Sequence, residues 1–154
     1  MKKVIVYAAA CVLFVSSIYA TPESKYINPD SKILQRFSQT FPNAKNIEWR
    51  DDKAGYFVSF TQNGNFNKVF YNTNGNLVYA LKYSNADELP TNIAMQLNKS
   101  YGDGKVLGVT EVTTQNNMFY NVKISKEKKL YDVNILADGT ISKEDVFDDG
   151  ANNN

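Results

Sequence analysis

Two segments of the chain carry apolar residues at helical spacing, and each is followed by four runs in which apolar and polar residues alternate. Ile33, Leu34, Phe37 and Phe41 form the first stripe, with Asp30 or Ser31 placed to cap it and Pro42 to close it. Pro90 suits the first turn of the second, Ile93, Ala94, Leu97 and Tyr101 form its stripe, and Gly102 stops it. After the first stripe come NIEWR, GYFVSF, NKVFYN and NLVYALKY, with turn signals at Asn63-Gly64 and Asn74-Gly75. After the second come KVLGVTEV, MFYNVKIS, KLYDVNIL and TISKEDVF, with Asp138-Gly139 at the last turn. A period of two broken by Asn-Gly and Asp-Gly predicts antiparallel hairpins.

The two halves superpose. The stripes match at an offset of 60, while Tyr56, Val58, Phe60, Val69 and Gly75 match Tyr120, Val122, Ile124, Val133 and Gly139 at an offset of 64. A four-residue insertion in the first strand and turn of the second copy, near Gly108, accounts for the change. The pattern predicts an α+β chain of two tandem helix-plus-four-strand repeats. The divisions expected are a leader sequence at 1–20, a polar segment at 21–29, repeats at 30–83 and 84–147, and a polar tail at 148–154.

Alternation also sorts side chains by face. Tyr56, Val58, Phe60, Val69 and Tyr71 fall on the side a helix would cover, and Phe57, Ser59, Lys68, Phe70 and Asn72 on the other. Trp49, Tyr56, Phe60 and Tyr71 are expected in the core, since strands pack aromatics well. Phe57 and Phe70 lie on the uncovered side, where the second repeat has Asn121 and Asn134. An apolar half beside a polar half suits an anchor and its rim, so Phe57, Phe70, Lys68, Ser59, Asn121 and Asn134 are the candidate protein-binding residues. The alternative is that a loop or the N-terminal segment covers Phe57 and Phe70.

The start of the chain changes the expected compartment. Lys2 and Lys3 precede an apolar stretch from Val4 to Val15, followed by Ser16, Ser17 and Ala20, the plan of a secretory signal cleaved after Ala20. About 12 apolar residues fall short of the ~20 that span a bilayer, so no membrane attachment is expected after cleavage. The remaining 134 residues hold 15 basic and 16 acidic groups, a net charge of −1, and no Cys. Disulfides, thiolate metal sites and Cys nucleophiles are thereby excluded. A periplasmic or secreted location follows.

The chemistry available is sparse. The chain contains no His, the commonest general base and metal ligand, and its charge balance is wrong for a nucleic-acid binder. Ser125 and Lys128 match a Ser-x-x-Lys spacing but fall in a predicted hairpin turn, whereas that dyad works from a helix. The acidic pairs Asp51-Asp52, Asp87-Glu88, Glu144-Asp145 and Asp148-Asp149 point to opposite faces where they lie on strands. The calcium-loop spacing fails, placing Leu136 or Phe70 where an oxygen ligand is required. No catalytic residue, metal ligand or cofactor is therefore assigned.

The run FPNAKNIEWRDDKAGYFVSFTQNGNFNKVFYNTNGNLV, then LPTNIAMQLNKSY, and a weaker second copy ending LYDVNILADGTI, resembles the PepSY-like, beta-lactamase-inhibitor-protein-like proteins exported by Bacteroidetes. The matching features are Phe41-Pro42, Ala44, Trp49, the Tyr56 strand, Asn74-Gly75 and Leu89-Pro90, over residues 30–147. The resemblance implies two α/β repeats, a curved antiparallel sheet with helices on one face, and a periplasmic location. It implies no known activity. Together these readings give a non-enzymatic module binding a periplasmic or secreted protein or peptide, with inhibition or regulation of an enzyme as one form of that binding. The alternatives are a small-ligand or calcium-binding protein and a carboxylate-based hydrolase.

Overall fold

The computed structural model describes residues 27–149. The expected signal peptide and its cleavage site lie outside these residues. Helix α1 (Ser31–Thr40) is followed by strands β1 (Lys45–Asp52), β2 (Gly55–Gln62), β3 (Asn65–Asn72) and β4 (Leu77–Ser84). A short 3-10 turn (Ala86–Glu88) leads into α2 (Thr91–Tyr101), and then come β5 (Lys105–Thr114), β6 (Met118–Lys126), β7 (Lys129–Leu136) and β8 (Ile141–Asp148). All eight strands form one antiparallel sheet in the order of the chain, β1 to β8.

Local chemistry sets the breaks. The Asp30 carboxylate accepts from the Lys32 N–H at 2.7 Å, capping α1, and Gly102 ends α2 with φ +57°. Asn63 and Gly64 both take positive φ, as a two-residue hairpin turn requires, and so do Glu127 and Lys128. Ser125 and Lys128 thus belong to a strand end and a tight turn. Pro90 stands one position ahead of α2, as its cap, instead of inside the first turn.

Each helix covers its own repeat. Ile33 and Phe37 of α1 pack on Trp49, Val58, Phe60, Val69 and Tyr71. Phe37 meets Trp49 and Phe60 edge-on, with ring centroids 5.3 and 5.1 Å apart. Ile93, Leu97 and Tyr101 of α2 pack on Val109, Tyr120, Val122, Ile124, Val133 and Ile135. Tyr56 is only half buried, and Ala94 of the second stripe is exposed. In the stretch read as a polar segment, Ile27 packs against the first core and Pro29 is buried.

Strand register shows that both helices lie on the same side of the sheet. Val58 pairs with Val69 and Val69 with Ala80, Ala80 with Thr113, and along β5 Val109 shares that face and pairs with Val122. The inserted residues lie beyond Val109 and not at Gly108, because Trp49 and Val109 still correspond at the offset of 60. Strand β5 has ten residues against eight in β1, and β6 has nine against eight in β2. The longer hairpin lets Thr113 and Thr114 pair with Ala80 and Tyr79, and Gln115 donates to the Leu77 carbonyl at 3.1 Å. The insertion therefore ties the second repeat to the first.

Candidate binding face

On the side away from the helices the register aligns three rows of side chains. Phe57, Phe70 and Tyr79 form one, and Ser59, Lys68, Leu81, Val112, Phe119 and Leu136 a second. The third runs from Phe66 and Tyr83 through Thr110 to Asn121, Asn134 and Lys143. Alternation placed Phe57 and Phe70 on this face, and the pairing confirms that they stand opposite each other on neighbouring strands.

The first repeat concentrates its aromatic rings here. Phe57 and Phe70 lie 4.6 Å apart, Tyr79 stacks on Phe70 at 5.6 Å, and Phe66 lies 5.7 Å from Tyr83. Phe57, Phe70 and Tyr79 are half buried by this mutual contact, while Phe66 and Tyr83 remain 44% and 36% exposed. Desolvation raises the Tyr79 hydroxyl above its ordinary range, with Tyr83 and Asp52 adding to it. Lys68 is exposed and carries its ammonium 5.7 Å from the Phe66 ring centroid. Ser59, half buried, stands opposite Lys68.

The polar half is bonded to itself. Asn121 donates to Asn134 at 2.8 Å and to Asp132, and Lys123 pairs with Asp132 at 2.6 Å. The Lys123 ammonium holds the Asp132 carboxyl below the usual carboxylate range against partial desolvation, with the Asn121 amide assisting. Leu81, Val112, Phe119 and Leu136, which sequence reasoning did not assign, extend the apolar surface across both repeats. Their alignment depends on how β4 pairs with β5. No hairpin turn joins those strands, so alternation within either repeat could not supply it.

The helix side holds a groove of about 680 Å³ between the repeats, reached by Asn65, Asn67, Lys82, Glu88 and Glu111. Two of its charges are paired: Lys82 lies 3.3 Å from Glu88, which accepts from Asn65 at 2.7 Å and is held below the ordinary carboxylate range by that bond and by Lys82. Among the described residues no three acidic side chains converge as a metal site would require, and no helix is long and apolar enough to cross a membrane.

An eight-stranded antiparallel meander with two helices on one face is the BLIP-like α+β fold, the fold of proteins likened to beta-lactamase inhibitor protein. A BLIP-like protein from Bacteroides fragilis superposes with a TM-score of 0.70 at 20% identity, covering 84% of this chain and 94% of that one. A DUF2874 family protein from Bacteroides ovatus gives 0.68 at 21% identity, covering 78% and 89%. A protein from Bacteroides eggerthii, provisionally named as periplasmic, gives 0.67 at 20%, covering 82% and 94%. These superpositions establish the fold alone, and none of the three carries the PepSY name. No family profile and no curated protein matches the sequence.

Proposed function

We propose that this protein is an exported, non-enzymatic module that binds a protein or peptide against the open face of its sheet. The observation that carries the reading is the pair of aromatic groups on the face without helices, Phe57, Phe70 and Tyr79 on one side of Lys68 and Phe66 and Tyr83 on the other. Half-buried rings beside an exposed cation are the composition of an interface centre, where aromatic anchors supply most of the binding energy. Lys68 favours a partner segment that presents an acidic group next to its apolar side chains. Asn121 and Asn134 bond to each other and form the rim beside this anchor. The signal-like N-terminus and the provisional name of the B. eggerthii neighbour support a periplasmic site of action.

The test is photo-crosslinking in the native cell, with a benzophenone amino acid at Phe66 and, as control, at the exposed Met95 of α2. Capture of one defined partner from position 66 and none from 95 is expected. The purified partner should then bind the Phe57→Ala, Phe70→Ala double variant at least about 30-fold more weakly, the hot-spot scale. Capture from 95 alone, or unchanged affinity, would overturn the assignment. Mass analysis of the exported product should show Thr21 as the first residue, and an intact Met1 would refute cleavage after Ala20.

A further inference from the structure

Beside α1, on the helix side of the sheet, two polar groups have incomplete bonding. Tyr71 is 1% exposed, and its hydroxyl has no hydrogen-bond partner among the described residues. Leaving such a group unsatisfied is costly, so its presence asks for a reason. Near it, half-buried Arg36 donates from Nη1 to the Gly75 carbonyl at 2.5 Å and to Asn76 Oδ1 at 3.0 Å. No carboxylate among the described residues pairs with this guanidinium. Arg36 and Tyr71 line one cavity of about 370 Å³, together with Gln39, Thr40, Asn76 and Gln115. Its lining carries one positive charge and no negative one.

The duplication supplies an internal comparison. Gln96 corresponds to Arg36 at the offset of 60, and Ile135, fully buried, corresponds to Tyr71 at the offset of 64. The second core closes with an aliphatic side chain at this place, so the fold itself does not require a hydroxyl there. Gln115 has no counterpart in the first repeat, because it comes from the inserted hairpin length. The first repeat thus lines this cavity with a cation and a hydroxyl where the second repeat has Gln96 and Ile135, and the insertion contributes Gln115 to its wall.

We propose that this cavity binds the carboxylate of a small organic acid, with Arg36 as its cation and the Tyr71 hydroxyl as a neutral donor. A single guanidinium matches the single charge of a carboxylate, and its planar fork fits two carboxylate oxygens. Burial pushes the hydroxyl up to about 12 against the pull of the Arg36 charge, so it keeps its proton at neutral pH and can donate. Gln39 and Gln115 also line the cavity, with the Gln115 amide donating to the Leu77 carbonyl. The site is separate from the aromatic face and does not depend on the protein-binding reading.

Calorimetric titration of the full exported chain with N-acetyl-leucine and N-acetyl-leucinamide tests the proposal, since the two probes differ only in the charged group. The acid should bind saturably and the amide at least about tenfold more weakly, as expected when a charge-assisted pair is lost. Tyr71→Phe, which removes one oxygen, and Arg36→Gln, which installs the second repeat's residue, should each weaken the acid at least about tenfold. Equal binding of acid and amide, or absence of saturable binding, would overturn the proposal. Unchanged binding by Tyr71→Phe would remove the hydroxyl's role even if Arg36→Gln failed to fold. Inorganic phosphate competing as well as the acid would refute carboxylate selectivity.

Discussion

Phe57 and Phe70 offer a quantitative test of whether the open face is surface or covered core. Their rings touch at 4.6 Å and 38°, and neither belongs to the hydrophobic clusters beneath the helices. Full burial of a Phe side chain is worth ~1.5–3 kcal/mol, so half burial gives about 1 kcal/mol per ring. The contact between the rings adds ~0.5–1.5 kcal/mol and is lost once, whichever ring is removed first. Phe57→Ala and Phe70→Ala should therefore each cost about 1.5–2.5 kcal/mol, and the double variant about 2.5–3.5, less than their sum. Urea unfolding followed by circular dichroism measures all three, with an unchanged slope confirming that the unfolded state is the same. A loss of ~3–5 kcal/mol for each single variant, the cost of truncating a fully buried ring, would show that something covers the face. A double variant within ~0.5 kcal/mol of the parent would show that the rings do not pack in solution.

Two further outcomes are expected. Gly55→Ala should destabilise by more than about 2 kcal/mol in the same assay, because a Cβ there would stand 2.0 Å from the Tyr71 carbonyl oxygen, and a loss below half of that would refute the close strand approach. Burial raises the Tyr71 hydroxyl to about 12 and also raises Tyr101, Tyr79 and Tyr120, with the Glu144 bond assisting at Tyr101. Above the ordinary tyrosine value near 10 the unfolded chain releases protons that the folded one retains, so stability should be complete below pH ~10 and fall towards pH ~12; a flat melting profile over that interval would refute the linkage.

Much of the architecture was legible because one period governs each element. Ile33 and Phe37, or Val58 and Phe60, needed only spacing to be placed in the core, and the Asn63-Gly64 and Asp138-Gly139 turns needed only their φ requirements. The same rule put Phe57 opposite Phe70. It stopped at the junction of the repeats, where Leu81 meets Val112 across strands joined through α2, and register there follows from packing of the whole repeat. The position of the insertion was misread for a related reason: Gly108 looked like a place to absorb residues, while both first strands carry a register irregularity at the corresponding point. Tyr71 was read correctly as core. That its hydroxyl finds no partner among the described residues was invisible, since a sequence shows which groups need partners but not which ones find them.

The strand order has a consequence for how the molecule is made. Every strand pairs with its neighbour in the chain, and the longest excursion between paired strands is the segment 85–104 that contains α2. Loop-closure cost grows with separation, so this topology asks little of the chain at any step. Each hairpin can add to the one before it, and the two hydrophobic clusters share no member. The N-terminal half can thus acquire its own core while the C-terminal half is still emerging, with the edge of β4 as the template on which β5 is laid.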